Sequence, residues 1–269
     1  MSNIRLDSLL FQRGLTESRE RAKAIIMSGS VFIGGIRADK PGMQVDSEAS
    51  VEVRSAPDFV SRGGHKLEKA LKQFKISPAD KACIDCGAST GGFTDCLLKY
   101  GAKLVYAVDV GYGQLAWSLR NDERVVLMER TNIRHVTADM FNTKPELAAV
   151  DVSFISLALV LPVVKSILTD DSEAICLIKP QFEAGREKVG KNGVVRDKAT
   201  HVSVLRKSIQ NAEESGFYVN GITFSPIRGP KGNIEYLSWL KSKGESRRFD
   251  LEGIVGTAHE EFEVQRNVQ

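Results

Sequence analysis

The sequence predicts an α/β fold, in which helices cover both faces of a mostly parallel sheet, preceded by a small α+β module. Apolar, strand-like runs recur from residue 82 onwards, and helical stretches separate most of them. Charged residues stand at the ends of several of these runs, where ligands of parallel sheets usually bind. The strand-like runs are 82–85, 104–109, 125–128, 148–153 and 174–178.

The first 60 residues follow a different pattern, that of a helix pair and a hairpin. Residues 5–13 indicate a short helix, and Thr16 or Ser18 can cap a second one that ends before Gly29. A strand at 31–33, a glycine turn and a further strand at 51–53 complete this module. We therefore predict two domains, residues 1–60 and 61–269.

The remaining elements of the larger domain flank the parallel strands. Leu67, Ala70, Leu71 and Phe74 share one face of a predicted helix that precedes the first strand. Two last strands, near 217–224 and 234–240, are joined by a stretch rich in proline and glycine. Such a link permits an antiparallel hairpin at the edge of the sheet.

The charge of the chain is unevenly distributed. The net charge is +3 over 269 residues, but the stretch from Phe249 to the end is acidic, so that the rest carries +7. Basic clusters at 62–75 and 228–248 suit a polyanionic partner such as RNA, or else form solvated helix faces.

The compartment is expected to be the cytoplasm. Residues 1–7 contain no apolar stretch, and the uncharged run 152–164 is shorter than the roughly 20 residues that span a membrane. Cys83 and Cys86 lie three apart in one strand, which directs them to opposite faces, and no second pair completes a metal site. We expect four reduced, buried cysteines, no metal and no membrane contact.

The stretch Asp85–Gly92 is typical of a turn that holds a nucleoside cofactor. Glycines between a strand and a helix let the backbone approach a ligand closely. A dinucleotide fingerprint needs glycine at the third position from Gly87, where this chain has Ser89, and Asp85 brings a negative charge. Cationic S-adenosylmethionine fits this turn better than a dinucleotide does. Its candidate contacts in this stretch are Asp85, Gly87, Ser89, Thr90, Gly91 and Gly92.

Asp109 ends the next strand-like run and can accept the hydroxyl hydrogens of a ribose. Both kinds of cofactor contain a ribose, so this residue does not distinguish them. The alternative is an ordinary glycine-rich turn followed by an acid at a strand end.

Four charged residues are predicted to meet at one opening. Lys179 and Asp151 stand at strand ends, Lys66 lies in the helix before the first strand, and Glu235 opens the last strand. Methyl transfer to a ribose hydroxyl needs a base, and an amine must be neutral to take up the proton, which burial and a second lysine favour. We expect Lys179 as base, Lys66 beside it, and Asp151 and Glu235 as positioning groups. The alternatives are a solvated helix charge for Lys66, a cap for Asp151, and an ion pair between Lys179 and Glu235.

Two other methyl-transfer chemistries lack their characteristic residues. Methylation of an amino group typically uses an Asn/Asp-Pro-Pro-aromatic turn, and Asp151–Phe154 contains no proline. Methylation of a pyrimidine carbon uses a cysteine that usually follows proline, and none of the four cysteines does. Hydroxyl methylation remains.

The sequence resembles the TlyA family. The resemblance covers nearly the whole chain and is carried by seven motifs: 61–67 (SRGGHKL), 87–94 (GASTGGFT), 109–115 (DVGYGQL), 129–132 (ERTN), 153–157 (SFISL), 179–183 (KPQFE) and 232–236 (GNIEY). It implies an S4-type RNA-binding domain joined to a Rossmann-like class I methyltransferase of the FtsJ type, which modifies cytidine 2′-hydroxyls of 16S ribosomal RNA, 23S ribosomal RNA or both.

The resemblance also implies roles for particular residues. The tetrad Lys-Asp-Lys-Glu of that fold matches Lys66, Asp151, Lys179 and Glu235, and Asn132 becomes a cofactor contact. The RNA contacts implied are Arg5, Arg19, Lys40 and Arg62, and the partner is a ribosomal subunit. Two departures are Gly35, where S4 hairpins usually have asparagine, and the linker 57–60, which lacks the arginine and tryptophan of some members.

Two other functions compete with this interpretation. Members of the family are often labelled haemolysin A, which suggests a membrane-active protein. A non-catalytic RNA-binding factor in ribosome assembly is the second, if the cofactor turn were vestigial.

Overall fold

A computed structural model describes residues 3–27, 29–53 and 58–267 of the chain. The chain divides into two compact units, Met1–Asp58 and Phe59–Gln269, two residues before the boundary that the sequence suggests. Pro57 of the linker lies outside the described residues.

The first unit combines two helices with short strands. Its described elements are β1 (Asn3–Arg5), α1 (Leu6–Gln12), α2 (Arg19–Met27), β2 (Val31–Ile33), β3 (Ile36–Ala38), β4 (Gln44–Asp46) and β5 (Val51–Val53). β2 lies between β3 and β5 in an antiparallel sheet, and β1 pairs with β4. Apolar residues of both helices, such as Leu10 and Ile26, are fully buried with Val31 in a core of their own.

The sequence patterns located most of this unit but missed part of it. The predicted helix 5–13 is shorter, because Arg5 belongs to β1. The β1–β4 pair was not predicted, since strands of three residues carry too little alternation to be read from a sequence.

The second unit alternates strands and helices. Its described elements are α3 (Gly63–Phe74), β6 (Ala82–Cys86), α4 (Gly92–Lys99), β7 (Leu104–Val108), α5 (Trp117–Arg120), β8 (Val125–Met128), β9 (Leu147–Val150), α6 (Leu161–Ile167), β10 (Glu173–Ile178), α7 (Pro180–Glu183), α8 (Lys198–Glu214), β11 (Tyr218–Phe224), β12 (Tyr236–Lys241) and α9 (Leu251–Asn267).

The central sheet of this unit has the strand order β11-β12-β10-β9-β6-β7-β8. The five strands from β10 to β8 are parallel to one another, and β12 and β11 form an antiparallel hairpin at one edge. The fold is the α/β sheet that the alternation of elements predicts. Since β12 runs opposite to β10, the first residues of β12 lie beside the carboxyl ends of the parallel strands.

Helices cover both faces of the sheet, because successive side chains of a strand point to opposite sides. Ile84 and Cys86 of β6 pack into one core cluster, while Cys83 packs into the other. β6 is buried along its whole length, as expected of a central strand between two layers. The four cysteines are free and buried, and burial raises the pKa of the Cys83 thiol to about 12.

Most predicted strands agree with the structure to within about two residues, and two parts of the second unit differ more. The strand predicted at 148–153 stops at Val150, because the chain turns where Phe154 has a φ of +64°. The acidic stretch near the end is largely the helix α9, whose buried residues Leu251, Val255, Ala258 and Phe262 fall on one face. Within the described residues, no helix is both long and apolar enough to cross a membrane.

Candidate active site

The residues that directly follow the parallel strands lie together at the carboxyl ends of those strands. Gly87 follows β6, Asp109 follows β7, Asp151 follows β9 and Lys179 follows β10. These four strands are consecutive in the sheet, in the order β10-β9-β6-β7, so the residues at their carboxyl ends are brought together.

The four charged residues of the predicted tetrad line one cavity of about 460 Å³. Lys66 reaches it from the first turn of α3, and Glu235 from the residue just before β12. Glu235 therefore precedes the last strand and does not open it. The side chains of Lys66, Lys179 and Glu235 are at most 10% exposed, and that of Asp151 is 21% exposed.

The tetrad is arranged as two ion pairs. Lys66 Nζ lies 2.6 Å from Glu235 Oε2, and Lys179 Nζ lies 2.5 Å from Asp151 Oδ1. Two positive and two negative groups thus line one cavity and are largely buried, so that electrostatic interactions between them are stronger than in water. The two carboxylates of such a cluster can orient the ammonium groups of Lys66 and Lys179 toward a small polar substrate.

Two neighbouring side chains complete the polar network. Lys179 Nζ donates to Ser153 Oγ at 2.9 Å, and Gln181 Nε2 donates to Glu235 Oε1 at 3.5 Å. Neither residue is predicted from the sequence to have a role. Both stand two residues from a tetrad member, but a serine or a glutamine has no charge that would distinguish it in the sequence.

An aromatic pair forms part of the same cavity wall. Phe154 is 89% exposed, and its ring lies 5.1 Å from that of Phe182. Sequence reasoning missed this pair as well, because an apolar residue in a loop gives no sign of its exposure. An exposed phenylalanine with positive φ leaves apolar surface available at the cavity mouth.

The glycine-rich turn lies beside this cavity and is tightly packed. Gly87 has a φ of +92°, and a Cβ atom there would lie 2.6 Å from the carbonyl oxygen of Asp151. Only glycine fits such an approach. The turn is further held by Asp109, whose two carboxylate oxygens accept hydrogen bonds from the backbone N–H groups of Ser89 at 2.8 Å and Gly111 at 2.6 Å.

A second cavity of about 680 Å³ adjoins the first and shares Gly87, Ser89 and Asp151 with it. Asp109, Thr131 and Asn132 contribute polar groups to its wall, whereas Ile133, Val152 and Leu159 are apolar. This combination fits the ribose and the base of an adenosine group. The Asn132 side chain also accepts a hydrogen bond from Arg134 N at 3.1 Å, which fixes the turn that follows.

The remaining candidate cofactor residues lie at different depths. Thr90 and Gly92 line a smaller neighbouring cavity, and Gly91 precedes helix α4 without lining the three cavities at this edge. Asp85 is fully buried below the turn and does not line them either. The Thr94 hydroxyl donates to Asp85 Oδ2 at 2.7 Å, and Oδ1 accepts no hydrogen bond from a described residue.

The candidate RNA contacts of the first unit differ in their surroundings. Arg5 forms a two-pronged pair with buried Asp7, through Nε at 3.1 Å and Nη2 at 2.7 Å, and Arg19 lies 3.4 Å from the same carboxylate. These arginines hold the pKa of Asp7 at about 2. Lys40 is exposed, and its side chain forms no hydrogen bond or ion pair with a described residue, although its carbonyl oxygen accepts from Met43 N at 3.0 Å. Arg62 belongs to the second unit and lines the small cavity beside Thr90.

Comparisons with known proteins agree with this architecture. The profile of the FtsJ-like methyltransferase family matches residues 59–242, and that of the S4 domain matches residues 4–51. The two matches correspond to the two units of the structure.

Relatives of similar length share both parts. The 16S/23S rRNA (cytidine-2′-O)-methyltransferase TlyA of Mycobacterium tuberculosis is 44% identical over 257 residues, 95% of this chain and 96% of that one. Hemolysin A of Brachyspira hyodysenteriae is 45% identical over 236 residues, 87% of this chain and 98% of that one. A solved structure from Streptococcus thermophilus, whose name places it with the hemolysins, is 46% identical with a TM-score of 0.77 and covers 99% of each chain.

Proposed function

The chain belongs to the TlyA family of FtsJ-like methyltransferases that carry an S4 domain, and from this premise we propose its reaction and its substrate. It transfers a methyl group from S-adenosylmethionine to the 2′-hydroxyl of a cytidine in ribosomal RNA, of one or both ribosomal subunits. The observation that carries the proposal is the meeting of Lys66, Asp151, Lys179 and Glu235 in one cavity.

The residues of that cavity divide the work on the hydroxyl. Lys179 in its neutral form takes up the hydroxyl proton, and Asp151 and Ser153 hold its amine in place. Lys66, held by Glu235, stabilises the negative charge that develops on the oxygen. The rings of Phe154 and Phe182 offer a surface on which the base of the nucleotide can stack.

The adjoining cavity of about 680 Å³ holds the cofactor in this proposal. S-adenosylmethionine, when bound, supplies a methyl group activated by a positively charged sulfur. Asp109 and Asn132 face its ribose, and the backbone from Gly87 to Ser89 approaches it closely. Asp85, Gly91 and Gly92 shape the turn from behind.

Replacement of Lys179 tests the role of the base. We expect Lys179→Ala to slow methyl transfer to unmodified ribosomal subunits by about 10²–10⁴-fold, the usual contribution of a positioned base. Lys179→Arg keeps the positive charge but cannot give up its proton, so it should be equally slow. The measurements are transfer of labelled methyl groups, mapping of 2′-O-methylated cytidines, and the Kd for S-adenosylmethionine, which should not change.

Lys103→Ala is the matched control, because this exposed lysine precedes β7 at the opposite edge of the sheet. An active Lys179→Arg variant would contradict the assignment of the base. If the unmodified chain bound RNA but not S-adenosylmethionine, a non-catalytic assembly factor would be the better description. Leakage of liposomes without any cofactor would instead favour the membrane activity that the hemolysin names suggest.

A further inference from the structure

A third cavity, of about 230 Å³, lies beside the tetrad on the side of α3. It shares Lys66, Gly87, Ser89 and Asp151 with the cavity of the tetrad. Its other wall is formed by Arg62 and by the loop that joins β11 to β12, which contributes Ile227, Arg228 and Pro230.

The charge of this third cavity is positive. Three cationic side chains line it, Arg62, Lys66 and Arg228, against the single carboxylate of Asp151. Asp151 and Lys66 are already paired with Lys179 and Glu235. Neither Arg62 nor Arg228 forms an ion pair with a carboxylate among the described residues, so two guanidinium groups remain for an anion.

Arg228 is held in place by the helix α9. Its Nη2 donates to the carbonyl oxygen of Phe262 at 3.1 Å, and its guanidinium lies 5.1 Å above the Phe262 ring. A carbonyl and an aromatic ring fix the guanidinium without cancelling its charge. The FtsJ-like match ends at residue 242, so the helix that holds this arginine lies beyond it.

The position of the cavity relates it to the acceptor nucleotide. In RNA the carbon that carries the 2′-hydroxyl is bonded to the carbon whose oxygen carries the next phosphodiester. A hydroxyl at the tetrad therefore places a phosphate within a short distance of it. The guanidinium group, with several N–H donors in one plane, is well suited to phosphate oxygens.

We propose that Arg228 joins Arg62, which the family resemblance already implies as an RNA contact, in a binding site for a backbone phosphodiester of the RNA next to the acceptor ribose. Helix α9 positions Arg228 for this contact. This inference rests on the proposed function, because it takes the hydroxyl at the tetrad as its reference point. The loop between β11 and β12 carries both Arg228 and Glu235. Binding of the RNA backbone and the arrangement of the tetrad therefore depend on the same segment of the chain.

Arg228→Ala and Arg62→Ala in the full chain test the site. Each should weaken binding to unmodified ribosomal subunits and raise KM for them about tenfold, as expected for a lost charge-assisted contact. The plot of log affinity against log salt concentration should become less steep, by about 0.7 for each of the two variants. Arg228→Lys should be intermediate, and the Kd for S-adenosylmethionine should not change.

Arg124→Ala serves as the control, because this exposed arginine removes the same charge just before β8, at the opposite edge of the sheet. The Arg62 side chain forms no hydrogen bond with a described residue, so Arg62→Ala keeps the test valid if Arg228→Ala fails to fold.

Three results would decide against the site or against its premise. Weaker binding of S-adenosylmethionine with unchanged RNA binding would show that the arginines hold the carboxylate of the cofactor, which overturns the proposal. Unchanged affinity and salt slope for RNA overturn it as well. An unmodified chain that binds subunits through Arg228 without methylating them would contradict the proposed function alone, since binding is measured without turnover.

Discussion

Burial controls the charge of Asp85, the acid below the glycine-rich turn. The loss of solvent raises the pKa of this carboxyl to about 7, more than the hydrogen bond from Thr94 lowers it. The nearby carboxylates of Asp151 and Asp109 act in the same direction as burial. Asp85 therefore carries a proton for part of the time near neutral pH, and its role in the turn is structural in the first place.

Asp85 should make the stability of the methyltransferase unit depend on pH. Its folded pKa lies above the unfolded value of 3.8, so the folded state retains a proton that the unfolded chain loses. Stability should then fall as the pH rises from about 4 to 7, by at most about 1.4 kcal/mol per pH unit. Asp85→Asn should abolish this dependence, as measured by thermal unfolding over that range.

Asp171→Asn, at an exposed site, controls for the loss of a carboxylate as such. A difference between Asp85→Asn and the unmodified chain that stayed constant from pH 4 to 8 would show that Asp85 does not titrate in this window.

At the scale of elements, the segment between α7 and α8 forms a wall of the tetrad cavity through Val189 and Gly193. Buried Asn233 holds this segment, since its side chain accepts from Val195 N at 2.9 Å and donates to the Gly193 carbonyl at 2.9 Å. His201 adds a bond to the Val195 carbonyl at 3.1 Å. The wall thus depends on a residue that lies two positions before Glu235.

Asn233→Ala should loosen this wall. It leaves the buried Val195 N–H and the partly buried Gly193 carbonyl without these partners, which costs about 1–3 kcal/mol in stability. Amide hydrogen exchange of residues 185–195 should become faster and KM for ribosomal subunits should rise, while the Kd for S-adenosylmethionine stays the same. Asn220→Ala, at the other end of the hairpin, should leave the rate of hydrogen exchange and the KM unchanged. If exchange of residues 185–195 stayed as slow in Asn233→Ala as in the unmodified chain, the role of the Asn233 side chain would be contradicted.

At the scale of the whole molecule, two units with separate cores divide the tasks. The first matches the S4 domain and the second the FtsJ-like methyltransferase. In the first unit, buried Asp7 partly compensates the charges of Arg5 and Arg19, whereas exposed Lys40 has no such partner among the described residues.

Lys40→Glu in the full chain tests this division. Reversal of one exposed charge should raise KM for ribosomal subunits about three- to tenfold at low salt, with a smaller effect at high salt. The Kd for S-adenosylmethionine should not change, because the proposed cofactor cavity lies in the second unit. Lys103→Glu makes the same change of charge in the second unit, and an equal effect of both variants would point to net charge and not to a contact of the first unit.

The parallel sheet and its glycine-rich turn could be read from the sequence because their signals are local. Each buried strand is a continuous apolar run, and the turn after β6 needs glycine at fixed positions. The short pair β1–β4 and the exposure of Phe154 could not be read, because each depends on residues far away in the chain.

The sequence by itself determined the class of the fold, the residue types of the tetrad and the family to which the chain belongs. Only the tertiary structure decided which lysine faces which acid, that Asp85 lies below the turn and not in a cavity wall, and that Phe262 holds Arg228. The physical reason is that residue types and spacings fix local conformation, whereas ion pairs and burial depend on atoms brought together across as many as 169 positions, as in the pair of Lys66 with Glu235.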